Sequence, residues 1–221
     1  MALANRVSYL LELSHELQKT WPENRTINIV CHGHSVPAGY FRTPHVDTFH
    51  AYPHRLHQLL KERFPFAVIN VIVTAIGGEN SEQGEKRFAE EVLGHRPSLV
   101  TIDYRLNDRR IGLDRARVAW QRMIEAALAR QVKVLLLTPT HDITRLADPP
   151  QMDWSTLVKQ SAQIRELAEQ YGVGVADSFQ RWELAQQQGA HLYELLSQSN
   201  HPSATGHELV AQEIVNWFPL T

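Results

Sequence analysis

The segment INIVCHGHSVPAGYF, residues 27–41, joins a short run of β-branched residues to a turn crowded with Gly, His, Ser and Pro. Its first half is apolar without alternation, the pattern of a strand covered on both faces. The same signature returns as AVINVIVTA from Ala67, LVTIDY from Leu99, VKVLLLTPT from Val132 and VGVADS from Val173. Between these runs lie amphipathic stretches near 46–63, 81–93, 113–130, 153–171 and 179–189, and another follows near 203–218. Strand and helix alternate, which predicts parallel βαβ units with right-handed crossovers and helices on both faces. The expected fold class is α/β: a three-layer α/β/α arrangement around a five-stranded parallel sheet.

Length and composition are consistent with that reading. A chain of 221 residues suits one α/β domain spanning 1–221, with residues 1–25 as a helical extension packed on it. Formal net charge is −2, and no run of Lys and Arg forms a footprint for nucleic acid or anionic lipid. A single cysteine, Cys31, cannot form an internal disulfide, which fits a reducing compartment. The N-terminal stretch lacks the continuous apolar core and cleavage site of a signal peptide, and no segment reads as a bilayer span. A cytoplasmic protein is expected, with no nucleic-acid or membrane partner and an unspecified oligomeric state.

In an open parallel sheet, ligands bind beyond the carboxyl ends of the strands. The loops there carry GHSVPAG, IGGENS, RLNDRR and THDITR, and the stretch before the last helix reads SQSNHPSATGH. Ser35 sits at a strand-to-helix corner, where a hydroxyl can be presented outward while its own N–H faces a developing oxyanion. A serine in such a turn is more often plain turn chemistry. His201 precedes Pro202, which disfavours helix for His201 and holds its imidazole in a loop before the closing helix, with Pro202 expected in that helix's first turn. With 12 histidines in the chain, chance placement competes with a general base. Asn107 and Asp108 alone favour turn capping, and Gly77 and Gly78 alone favour a tight turn. Nucleotide and metal chemistry fit worse: GGENSEQGEK has Glu where a phosphate-binding Lys would stand, no GxGxxG follows the first strand, and His32 and His34 lack a third ligand at usable spacing. No metal and no cofactor are expected.

Taken in order, these blocks resemble the SGNH (GDSL) hydrolase superfamily, esterases and acetylesterases on a flavodoxin-like fold. The resemblance runs from the first strand to the closing helix. It implies Ser35 in GHS as nucleophile, and an oxyanion hole made by the N–H groups of Ser35 and Gly78 with the side-chain amide of Asn107 in RLND. Gly78 in AIGGENS is the better donor than Gly77. It also implies His201 in QSNHP as general base. Departures are His34, where the signature has Asp; Arg105, where Gly is common; and Gln198, three residues before His201, where the family usually has the triad acid. A neutral amide can orient an imidazole but cannot stabilise imidazolium as a carboxylate does. Gln198 is therefore expected to orient the ring, with Asp177 or Asp142 as the alternative, a relocated acid.

The activity implied is hydrolysis of a carboxylic ester through an acyl-enzyme. The expected partner is a small-molecule ester with a short acyl group, an acetylated sugar being the leading candidate. His34, Tyr40, Arg105 and Asp108 are the expected substrate contacts, and Tyr40, Phe41 and Trp154 could stack on a sugar ring. The competing reading is a catalytically impaired member of the fold that binds a small ligand or carbohydrate, as the missing acid would allow.

Overall fold

The computed structural model describes residues 3–146 and 152–220. Five parallel strands form one sheet: β1 (Thr26–Gly33), β2 (Val68–Val73), β3 (Leu99–Asp103), β4 (Lys133–Leu137) and β5 (Gly174–Ala176), in the order β2-β1-β3-β4-β5. All five coincide with the five sequence runs. Successive strand residues point to opposite faces. Ile29, Leu99 and Leu135 join one core, and Val30, Val100 and Leu136 join the other.

The first core is closed by α1 (Leu11–Gln18), α2 (Tyr52–Arg63) and α9 (Ala204–Val215), through Leu13, Leu17, Leu56, Leu60, Val210 and Ile214. The second is closed by the π-helical turn Phe88–Val92 that continues α3 (Ser81–Arg87), by α5 (Leu113–Leu128) and by α6 (Met152–Tyr171). Helix α5 shows why its sequence is helical: Ala116, Ala119, Trp120, Met123 and Ala127 recur at spacings of three and four and are buried, while its arginines stay on the other face. The remaining α-helices among the described residues are α4 (Arg105–Asp108), α7 (Ser178–Gln187) and α8 (Leu192–Leu195).

Helix starts are fixed locally. Asn80 accepts from the Gln83 N–H while Gln83 caps it in return, and Asp177 and Ser203 accept from the N–H groups of Gln180 and Gly206. Several expected segments are shorter than their sequence patterns. The predicted 46–63 helix begins at Tyr52, with Pro53 in its first turn, and only Leu11–Gln18 of the N-terminal stretch is α-helical. One strand departs from the expectation of cover on both faces: β2 is an edge strand, with Val68 and Val73 exposed. Among the described residues, no helix is long and apolar enough to cross a membrane.

The strand order positions the site. The chain passes from β1 outward to β2, then returns to lay β3 on the other side of β1, so order reverses between β1 and β3. Gly33 pairs with Asp103 at the carboxyl end of that junction, and the loops that follow diverge there into a crevice.

Candidate active site

Ser35 follows β1 by two residues and lies in a compact turn. The Tyr40 N–H donates to the Ser35 carbonyl at 3.0 Å, and Gly39 takes φ +86° to let the chain double back. His201 arrives from the far end of the chain. The N–H of Ser197 donates to its carbonyl at 2.9 Å, and an isolated bridge between Leu196 and Pro202 closes the loop that carries it. Pro202 precedes the Ser203 cap of α9 and so lies outside the first helical turn where it was expected.

These two loops bring His201 Nε2 to 3.0 Å from Ser35 Oγ. The other ring nitrogen, Nδ1, is 2.7 Å from the main-chain carbonyl of Phe41. A carbonyl can only accept, so Nδ1 carries the proton and Nε2 offers its lone pair to the serine hydroxyl. Burial lowers the His201 pKa, the Phe41 carbonyl opposes that, and the neighbouring His34 adds to it. The ring is thus held neutral near pH 7, as a base must be.

Gly77 and Gly78 divide the work of their turn. A Cβ on Gly77 would lie 2.9 Å from the Tyr40 ring, whereas Gly78, at φ +80°, faces open space and its N–H has no main-chain acceptor among the described residues. The Ser35 N–H likewise lacks a main-chain acceptor among the described residues. Asn107, in the one-turn helix α4 after β3, donates one amide hydrogen to the Glu79 carbonyl at 2.8 Å and keeps the second. That bond ties Asn107 to the glycine turn. The structure therefore gathers Ser35, His201, Asn107 and the Gly78–Glu79 turn at the β1/β3 crevice.

A buried network that the sequence did not announce holds the turn from behind. Glu79 accepts from Arg87 Nη2 at 2.5 Å and from the Tyr104 hydroxyl at 3.0 Å, and that hydroxyl lies 3.0 Å from His32 Nε2. Burial pushes His32 down to about 3, so it is a neutral link. The only advance sign was an acidic residue directly after two glycines.

Other expected residues take different places. Gln198 does not touch His201; its Oε1 accepts from the Thr43 N–H at 2.9 Å, and the Phe41 carbonyl orients the imidazole instead. Neither alternative acid reaches the ring. Asp177 accepts from Arg165, Thr138 and the Gln180 N–H, and Asp142 pairs with Arg109 at 2.7 Å. Arg105 and Asp108 are fully buried and cannot contact substrate. Arg105 lies 4.6 Å over the Trp120 ring, and Asp108 accepts from the Ser81 N–H and Trp120 Nε1, both at 2.8 Å. Burial depresses the Arg105 pKa to about 10 and raises that of Asp108. His34 is buried against Ser35 and Asp103. Phe41 packs on His207, and Trp154 stacks on Phe179, so neither is a sugar platform. Tyr40 remains at the site, half-buried, its ring 6.2 Å from that of His201.

Fold and site together define a class, the carboxylic ester hydrolases built on a three-layer α/β/α sheet. Residues 31–209 match the GDSL-like lipase/acylhydrolase family, and the chain belongs to it. The fold is similar to that of an acetylxylan esterase from Geobacillus stearothermophilus, with TM-score 0.76 and 17% identity over 88% of this chain and 95% of that one. A variant of the same esterase with one tryptophan replaced by isoleucine aligns with TM-score 0.75 and 18% identity, over 88% and 96% of the two chains. A protein from Desulfitobacterium hafniense DCB-2, named as a lipolytic member of the G-D-S-L family, gives TM-score 0.69 and 21% identity over 86% and 98%. No curated protein shows a sequence match.

Proposed function

We propose that this protein hydrolyses short-chain, chiefly acetyl, esters of a carbohydrate through an acyl-enzyme on Ser35. The observation that carries the reading is the 3.0 Å approach of His201 Nε2 to Ser35 Oγ, with Nδ1 committed to the Phe41 carbonyl. His201 takes the hydroxyl proton as Ser35 Oγ attacks the ester carbon. The Ser35 and Gly78 N–H groups and the Asn107 amide receive the carbonyl oxygen as it gains charge. Collapse expels the alcohol, which takes the proton from His201, and a water molecule repeats the sequence on the acyl-enzyme. The acetyl and carbohydrate parts of the proposal draw support from the acetylxylan esterase likeness and from Tyr40, an aromatic ring at the site edge.

In that esterase the catalytic mutants replace a serine, an aspartate and a histidine, and the aspartate stands three residues before the histidine. Here Gln198 has that spacing, and its amide is spent on Thr43. This chain is therefore read as a Ser–His pair oriented by a main-chain carbonyl. The same substitution is what favours the second reading, a ligand-binding protein with impaired turnover.

The test is hydrolysis of p-nitrophenyl acetate, p-nitrophenyl butyrate and an acetylated xyloside by the protein and its Ser35→Ala variant. Acetate turnover that exceeds butyrate turnover and disappears with Ser35 is expected, together with acetate release from the xyloside. Folded protein that binds the xyloside but turns over none of the three would establish the second reading.

A further inference from the structure

The nucleophile has a second imidazole beside it. His34 Nδ1 lies 3.3 Å from Ser35 Oγ and accepts from the Val36 N–H at 3.3 Å. A main-chain N–H can only donate, so Nδ1 is unprotonated and presents a lone pair toward the serine. Neutral His34 then carries its hydrogen on Nε2, and Nε2 is 3.3 Å from Asp103 Oδ1, slightly off-axis for a full hydrogen bond. The pair is enclosed, with side-chain exposures of 1% for His34 and 8% for Asp103. Ser35 Oγ–H therefore faces two lone pairs with one proton to give.

The two acceptors differ in what stands behind them. Behind His201 is a neutral carbonyl, and among the described residues no carboxylate is within ion-pair range of that ring. Behind His34 is a buried carboxylate. An imidazolium is stabilised far more by an adjacent carboxylate than by a carbonyl dipole, all the more where water is excluded. Distance favours His201, and protonating His34 would cost the Val36 N–H its acceptor. Charge stabilisation favours His34.

We infer that His34, backed by Asp103, is a second proton acceptor for Ser35, so that the nucleophile is served by two imidazoles. This rests on Ser35 being the nucleophile. In the His34 route Ser35 Oγ bonds the ester carbon, the carbonyl π pair moves onto oxygen, and the hydroxyl proton passes to His34 Nδ1. His34 then holds a hydrogen on each nitrogen and its positive charge faces Asp103. When the carbonyl re-forms, the bond to the alcohol breaks, the departing oxygen takes a proton from a water molecule, and His34 gives its Nδ1 proton to the hydroxide so formed, which returns the imidazole to its neutral form. A p-nitrophenolate leaves unprotonated, and His34 then loses that proton to solvent. His34 touches the reacting oxygen and is a catalytic residue. Asp103 acts through it and is a positioning residue.

An aryl acetate isolates the base, because a p-nitrophenolate leaves without being protonated. His201→Gln is expected to keep turnover of p-nitrophenyl acetate at least about tenfold above Ser35→Ala, since a general base contributes roughly 100-fold or more. Its loss on ethyl acetate should be larger, because that alkoxide needs a proton. Adding Asp103→Asn, or His34→Asn if the first variant is unstable, should bring the residual rate down to that of Ser35→Ala. Imidazole 15N shifts in the unaltered protein give a readout independent of variant folding, and the Nε2–H tautomer is expected for His34. A His201→Gln rate equal to that of Ser35→Ala, a residual rate indifferent to both second substitutions, or an Nδ1–H tautomer at His34 would each overturn the inference while leaving Ser35 as nucleophile. Full activity in Ser35→Ala would instead remove the nucleophile and the inference together.

Discussion

The two sides of the crevice are built from different materials. The glycine-turn side, the proposed oxyanion hole, rests on charge: Glu79 and Arg87 pair at 2.5 Å with both side chains largely buried, and the buried carboxylate of Asp108 ties Ser81 to Trp120. The His201 side rests on neutral groups, namely the Phe41 carbonyl on His201, the Gln198 amide on Thr43, and Ser197 on the main chain of residues 201 and 202. Charged braces in a dry interior are stiff but leave a large penalty when halved, whereas neutral ones can be lost singly at modest cost. The molecule thus braces the proposed oxyanion half with buried charge and His201 with neutral groups.

Substitutions on the two sides should differ accordingly. Asn107→Ala removes the proposed oxyanion donor and unties the Glu79 carbonyl, and kcat for p-nitrophenyl acetate is expected to fall by about 100- to 1,000-fold while circular dichroism stays native. A change below tenfold would mean that Asn107 only holds the turn.

Glu79→Gln leaves the Arg87 guanidinium without its buried carboxylate. Unfolding in urea should show a loss of about 3 kcal/mol, with kcat reduced about tenfold and KM nearly constant. Equal stability would show that the charged brace is not structural.

On the His201 side, Gln198→Asp should alter kcat by no more than about fivefold, because the side chain lies on Thr43 and one neutral hydrogen bond is at stake. A large gain would mean that the loop can shift to place a carboxylate on His201.

The smallest effect is the position of the acid limb. His201 must be unprotonated to act, and burial lowers its pKa from the ordinary 6.5. In kcat/KM against pH, activity should rise with pH and reach its plateau with a midpoint below about 6.5. A midpoint above that value would indicate an anionic partner on the ring.

The same contrast accounts for what could be read in advance. The placement of Ser35, Gly78, Asn107 and His201 at one crevice was legible because each stands just past a strand or just before a helix, where side-chain type and turn chemistry coincide. The five strands were legible because their apolar runs have no helical period. Sheet order was not, which is why β2 looked as buried as β1 and proved to be an edge. Arg105 and Asp108 misled because charged residues after a strand usually mark surface, and here a single helical turn folds both inward onto Trp120. Asp103 closes the otherwise uncharged run LVTI, a carboxylate at the end of a strand buried on both faces. The Phe41 contact left no sign at all, because the group that meets His201 belongs to the backbone.

That last point reaches beyond the site. An orienting group made of main chain is invisible to a side-chain scan: every codon at position 41 still encodes the oxygen that His201 meets, though a residue that packs poorly could displace it. A missense change can shift this acceptor but cannot delete it, as it can delete an aspartate. Only atomic editing of the 41–42 linkage, an amide exchanged for an ester by chemical synthesis, would weaken the acceptor while keeping every side chain in place.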